Sequence, residues 1–229
     1  MAQALTQAHI SYEAWISEAP RGMAPMAQIP QLKRFAAGTE MQAAIAQSGF
    51  SAVIDASHGF DAATTGHAQA ATDALGLPYL RIARAIWSAD GLANVRCVTD
   101  VAQANARVPR NARVFCATGW DSLADYAGFA GDVLMLRQTR RHSRPAPYPF
   151  VELVFSDPPF TVESEQALFQ SLRVDMLICR NLGGTASRPK LDAACALGLE
   201  VVLIDPPVCT LKAPTVSEIE KAMDWVDGL

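Results

Sequence analysis

Short apolar runs alternating with helical patterns limit what this chain can fold into more than any other feature. Residues 51–55 (SAVID), 78–82 (PYLRI), 113–117 (RVFCA), 133–136 (VLML), 150–155 (FVELVF), 174–179 (VDMLIC) and 200–204 (EVVLI) read as strands. Helical stretches over 62–75, 121–126, 161–172 and 190–197 stand between several of them. Asp61 is placed to cap the helix at 62–75 and Gly76 to stop it. A last helix carries Ile219, Met223 and Val226 on one face, with Ser217 and Glu220 spaced as a capping box. Apart from 150–155, the strands are continuously apolar rather than alternating, which suits parallel sheets covered by helices on both faces. The fold class is α/β.

A length of 229 residues corresponds to one or two domains. The stretch 99–109 is polar and holds no strong strand, so the boundary is expected near 97–105, dividing the chain into units 1–98 and 99–229. With 50% hydrophobic and 18% charged residues, a disordered chain, a coiled coil and a collagen-like fibre are excluded. No apolar run approaches the roughly 18 residues of a membrane span. The N-terminus (MAQALTQAHISYEAW) lacks the basic and apolar regions of a secretory signal, so a cytoplasmic location is expected. A net charge of −4, from 19 basic and 23 acidic residues, gives no global field for nucleic acid or an anionic membrane. The five cysteines show no CxxC spacing. Cys97, Cys116 and Cys179 lie in or beside strand-like runs and read as reduced core thiols, and no metal site is expected.

In parallel sheets, ligands gather beyond the carboxyl ends of the strands. Three turns there carry chemistry-bearing residues. Asp55, Ser57 and His58 follow a strand within four residues, either as a capping turn or as a site for a ligand or proton transfer. Thr118-Gly119 can offer backbone N–H groups to an anion or serve as an ordinary turn. Arg180, Gly183 and Gly184 combine a fixed charge with close backbone approach. No complete dinucleotide loop, P-loop, G-x-S-x-G or H-E-x-x-H is present. Arg137, Arg140, Arg141 and Arg144 crowd around His142, and Arg107, Arg110 and Arg113 form a second group. Each reads as a solvated loop or as a local anion site, since guanidinium matches carboxylates and phosphates. Arg81 and Arg84 with Trp87 either flank a flat anionic ligand or belong to a surface with Trp87 as core anchor.

Taken in order, these segments resemble the precorrin-6A reductase family, NADPH-dependent enzymes of corrin ring biosynthesis. The family's Asp-Ala-Thr/Ser-His-Pro-Phe/Tyr turn is matched by Asp55-Ala56-Ser57-His58-Gly59-Phe60, and its Pro-Tyr-Leu-Arg strand by Pro78-Tyr79-Leu80-Arg81, with Arg84 and Trp87 downstream. Its Thr-Gly turn corresponds to Thr118-Gly119, and the arginine after the next strand to Arg137. Pro158-Pro159-Phe160 stands for a Gly-Pro-Phe element. Arg180-Asn181-Leu182-Gly183-Gly184 with Lys190 stands for a Lys-x-Ser-Gly-Gly turn and a later lysine. The likeness runs from about His9 to the C-terminus, and seven motifs in order are far more specific than any one alone.

The resemblance implies two Rossmann-like lobes, mainly of parallel sheets, with NADPH and a tetrapyrrole between them, in a monomer or weak homodimer. The expected reaction is hydride delivery to the macrocycle with uptake of a proton. It assigns His58 and Asp55 to catalysis, His58 as proton donor. The cofactor falls to Ala56, Ser57, Thr118, Gly119 and Arg21, the last as substitute for an arginine at the 2′-phosphate. Substrate carboxylates fall to Arg81, Arg137, Arg140, Arg141, Arg180 and Lys190, with Gly183 and Gly184. Family members open with a strand and a Gly-Gly-Thr loop. The first residues here (MAQALTQ) correspond to the helix after that loop, so the N-terminal lobe is expected to lack its first strand. The alternative this raises is a non-catalytic, tetrapyrrole-binding relative that has lost NADPH binding. A short-chain-type reductase is disfavoured, because no Tyr-x-x-x-Lys pair occurs.

Overall fold

Each apolar run becomes a strand, and among the described residues every strand pairing is parallel. The computed structural model describes residues 1–17, 27–209 and 212–229. They divide into two compact units, Met1–Arg84 with Pro207–Leu229, and Ala85–Pro206. The first unit begins with α1 (Ala2–Gln7) and the short pair β1 (Trp15–Ile16) and β2 (Gln31–Leu32). Then follow α2 (Gly38–Ser48), β3 (Val53–Asp55), α3 (Ala62–Leu75) and β4 (Tyr79–Ile82). Asp61 caps α3 as expected, accepting the Thr64 N–H at 3.1 Å, and Gly76 ends the helix in the left-handed region. Met41 and Ile45 of α2 pack on Ala68 and Ala71 of α3 and on Tyr79. Burying side chains the size of Met41 and Ile45 is worth about 1.5–3 kcal/mol each.

The second unit runs β5 (Val95–Val98), α4 (Val101–Asn105), β6 (Arg113–Ala117), a 3-10 segment (Trp120–Tyr126), β7 (Val133–Gln138), β8 (Val151–Phe155), α5 (Val162–Ser171), β9 (Met176–Arg180), α6 (Pro189–Ala196) and β10 (Glu200–Ile204). Its six strands lie in the order β5-β10-β9-β6-β7-β8. Phe115, Met135, Leu177, Val201 and Leu203 form the core with Phe169, Leu191 and Trp87, the last confirming the core-anchor reading. The chain leaves β6 toward β7 and leaves β9 toward β10, in opposite directions. The order therefore reverses between β6 and β9, which places the Thr118-Gly119 and Arg180–Gly184 turns at the switch point.

After β10 the chain returns to the first unit, where β11 (Thr215–Val216) adds to β4 and α7 (Ile219–Asp227) follows. The boundary expected at 98/99 is therefore displaced. The crossing falls at Arg84/Ala85, and β5 belongs to the second unit because it pairs with β10. The polar stretch mistaken for a linker contains α4, capped by Asp100. Two local readings also change. Residues 120–126 form a 3-10 segment rather than an α-helix, with Ser122 Oγ donating to Gly119 O at 2.7 Å inside the turn. No capping box opens α7: the cap residue is Glu218, one place later than Ser217, and it faces Lys221 at 3.5 Å. Cys116 and Cys179 are buried as expected, but Cys97 is exposed on the edge strand β5.

Candidate functional site

In the first unit the parallel register sets Asp55, the last residue of β3, opposite Arg81 on β4. Arg81 Nη1 lies 2.7 Å from Asp55 Oδ1 and also donates to Ser57 Oγ at 2.9 Å, while Nη2 donates to Ser57 O at 2.9 Å. Asp55 Oδ1 accepts the Ser57 N–H at 2.8 Å, and Oδ2 accepts the Tyr79 hydroxyl at 2.8 Å. Burial alone would raise the Asp55 pKa. The hydrogen bonds from Ser57, the Arg81 charge and the Tyr79 hydroxyl outweigh it, so the carboxyl sits below its ordinary range. Burial, then the Asp55 charge, push the Tyr79 phenol upward, so it stays a donor. Asp55 and Arg81 are thus consumed beneath the turn, where they fix Ser57 from both sides. Ala56 and His58 are exposed on that turn. The Phe60 N–H donates to His58 Nδ1 at 3.1 Å.

In the second unit the two turns at the switch point stand side by side: a Cβ placed on Gly119 would come within 4.0 Å of Arg180 Nη1. Gly119 has φ +91, a conformation side chains rarely adopt, and Gly183 and Gly184 have φ +62 and +66. The first turn is pinned from below by a buried chain: Thr118 Oγ1 lies 3.0 Å from Cys116 Sγ and 2.6 Å from Ser122 Oγ. The second is pinned by Asn181, which accepts the Trp87 N–H at 2.9 Å and donates to Trp87 O at 3.0 Å and Asp205 Oδ1 at 2.9 Å. Trp87 Nε1 in turn donates to Gly184 O at 2.8 Å.

Arg137, near the end of β7, is buried and paired with Glu165 in the first turn of α5, Nη1 to Oε1 at 2.7 Å. A reciprocal capping box at Thr161 and Ser164 sets the start of that helix. Lys190 is buried too, donating to Ser187 O at 2.9 Å. Desolvation lowers its pKa, with the neighbouring Cys179, Arg137 and Glu165 as further influences. Burial pushes the Cys179 thiol up to about 12, so it stays protonated. Arg140, Arg141 and Arg144 are exposed. Arg144 lies 4.2 Å from the Trp120 ring centroid and Arg141 5.8 Å from that of Phe155, with the His142 ring edge-on to both rings.

Thus Asp55, Ala56, Ser57, His58 and Arg81 meet at one turn of the first unit, and Thr118, Gly119 and Arg180 meet in the second, with Gly183 and Gly184 continuing the Arg180 turn. Arg21 lies outside the described residues. Sequence reasoning missed Tyr79, Glu165 and Asn181 as partners. Tyr79 shares a strand face with Arg81, two residues on, so an arginine inside an apolar strand was the available signal. Glu165 gave none, standing in a helix opening (VESEQ) that reads as solvated. Among the described residues no cluster of three or more His, Cys, Asp or Glu could hold a metal, and no helix is long and apolar enough to cross a membrane.

Residues 1–227 match the profile of a family described as precorrin-6x reductase CbiJ/CobK. A precorrin-6A reductase from Mycobacterium tuberculosis is 36% identical over 179 residues, 78% of this chain and 72% of the relative. One from Rhodobacter capsulatus is 33% identical over 226 residues, 97% of this chain and 90% of the relative. Among solved structures, CobK precorrin-6A reductase superposes with a TM-score of 0.82 at 31% identity, over 88% of this chain and 83% of that one. The likeness agrees with the expected Rossmann-like, mainly parallel α/β architecture.

Proposed function

The chain belongs to the precorrin-6x reductase family, and from that membership we propose that it reduces a precorrin-6A-type tetrapyrrole with NADPH. It is an oxidoreductase of cobalamin biosynthesis, and the observation that carries this is the family match over residues 1–227. A nicotinamide, when bound, supplies the hydride chemistry. The residues present fit such a group: glycine turns at the ends of parallel strands, with positive φ at Gly119, let backbone N–H groups approach an anion without a Cβ in the way.

Within the first unit, Ala56 and Ser57 are the proposed cofactor contacts, and His58 is the candidate proton donor. Asp55 and Arg81 support that turn from beneath and are better placed to position it than to touch a ligand. Within the second unit, Thr118 and Gly119 offer backbone to the cofactor. Arg137, Arg140, Arg141, Arg180 and Lys190, with Gly183 and Gly184, are the proposed contacts for substrate carboxylates. Arg21 is the candidate for the 2′-phosphate that separates NADPH from NADH.

A fluorescence titration of the purified chain with NADPH, against NADH, tests the cofactor. Saturable binding that favours NADPH is expected, and equal affinities overturn the NADPH assignment. His58→Ala is expected to slow reduction of precorrin-6A by about a hundred- to ten-thousand-fold with NADPH affinity unchanged. An unaltered rate removes His58 from the chemistry.

A further inference from the structure

Buried polar atoms in folded proteins almost always have partners. Among the described residues five buried side-chain atoms lack one in the protein, and four belong to a single cluster: Arg137 Nε, Arg137 Nη2, Ser156 Oγ and Glu165 Oε2. The arrangement is ordered rather than loose. Glu165 Oε1 takes Arg137 Nη1 at 2.7 Å, which leaves Nε and Nη2 unused. Those two donors form the side edge of the guanidinium, the fork that grips both oxygens of one carboxylate. The Phe115 and Phe160 rings lie 4.8 and 4.4 Å from the guanidinium carbon and hold its plane. Arg137, Ser156, Phe160 and Glu165 border a cleft of about 230 Å³. That is smaller than the roughly 300–1,000 Å³ of a pocket for a whole drug-sized ligand, and it suits the end of a side arm rather than a macrocycle.

We propose that Arg137 Nε and Nη2 with Ser156 Oγ seat one carboxylate arm of the tetrapyrrole, and that Glu165 is the positioning residue that turns this fork toward it. The identity of the arm rests on the substrate reading above. The seat itself rests on the geometry of the second unit.

Two measurements separate those claims. In the first, the Arg137 Nε–H resonance of the full chain, assigned by its loss in Arg137→Lys, is followed by NMR while sodium propionate is added. A saturable shift that weakens in Ser156→Ala is expected. No shift, or an ordered water on Nε that propionate does not displace, overturns the seat. In the second, KM and kcat are compared for precorrin-6A and for NADPH. Ser156→Ala and Glu165→Ala are expected to raise the precorrin-6A KM by about tenfold or more, well beyond any fall in kcat, with Glu165→Gln recovering part of the loss. An unchanged KM in a wild-type chain that reduces precorrin-6A overturns the arm while the reductase reading stands. A rise in the NADPH KM instead, with inorganic phosphate shifting Nε–H, reassigns the seat to a cofactor phosphate and overturns the proposal. A propionate shift in a chain that does not reduce precorrin-6A supports a carboxylate seat and overturns the substrate reading.

Discussion

Both units bury an arginine–carboxylate pair at 2.7 Å, Arg81–Asp55 in the first and Arg137–Glu165 in the second. Their side chains are almost equally hidden, 7% and 4% exposed against 5% and 1%, so burial does not distinguish them. What differs is completion. Asp55 and Arg81 exchange further bonds with Ser57 and Tyr79, and both carboxylate oxygens are taken. Arg137 and Glu165 share one bond and leave Nε, Nη2 and Oε2 buried without a partner. A closed network specifies a local structure, whereas an open one is costly to keep unless something completes it. The first pair is a fastener for a turn, and the second is half of a recognition element.

Removing half of the closed network tests this contrast most severely. Asp55→Ala strands a buried guanidinium and is expected to destabilise the first unit by about 3–5 kcal/mol, read by hydrogen exchange of amides in α3 and β4. A loss under 1 kcal/mol would show that the pair does not hold the turn. Replacing the open pair as a whole sharpens the comparison. Arg137→Met with Glu165→Leu is expected to leave the second unit as stable or to stabilise it by about 1–4 kcal/mol, because no third residue loses a bond. The matching apolar swap at Arg81 and Asp55 should destabilise, since Ser57 and Tyr79 lose theirs, and urea unfolding of the two double variants decides.

The smallest expected effect is on acid sensitivity. The folded Asp55 carboxyl titrates below its unfolded value, so the unfolded chain binds more protons in that window. Its contribution to stability is complete above the unfolded pKa of about 3.9 and is lost as pH falls through the folded pKa. Urea midpoints measured from pH 5 downward should therefore fall less steeply in Asp55→Asn, and equal slopes would detach Asp55 from the acid response.

The central strands were legible because nothing competes with burial there. In EVVLI, four consecutive residues are buried, and the run at 200–204 is β10 residue for residue. The edge was not. In β5 the two middle residues, Arg96 and Cys97, are exposed, so the strand carries no unbroken apolar run, and the polar stretch behind it reads as the boundary. The real crossing at Arg84/Ala85 has no compositional mark at all. Two-residue strands such as β1, β2 and β11 are too short to show a period. At the candidate site, the residue types at the turns were visible and the partners were not. Arg137 sits three and four residues before Arg140 and Arg141, and the cluster hides that one arginine is buried while the others stand in solvent. Pairings such as Arg81 with Asp55, 26 residues apart, exist only once the parallel register is set.

The return of the chain to its first unit also sets a timetable. The three-stranded sheet is complete only when β11 reaches β4, and β11 is made about 130 residues after it. At the 5–20 residues per second of synthesis, that is a wait on the order of ten seconds. During it, the main-chain edge of β4 that Thr215 and Val216 will cover has no strand beside it, and all of the second unit emerges meanwhile. The half of the molecule that is translated first is therefore the last to be finished, and in a nascent chain its open edge is the surface on which chaperone capture or mispairing between chains would begin.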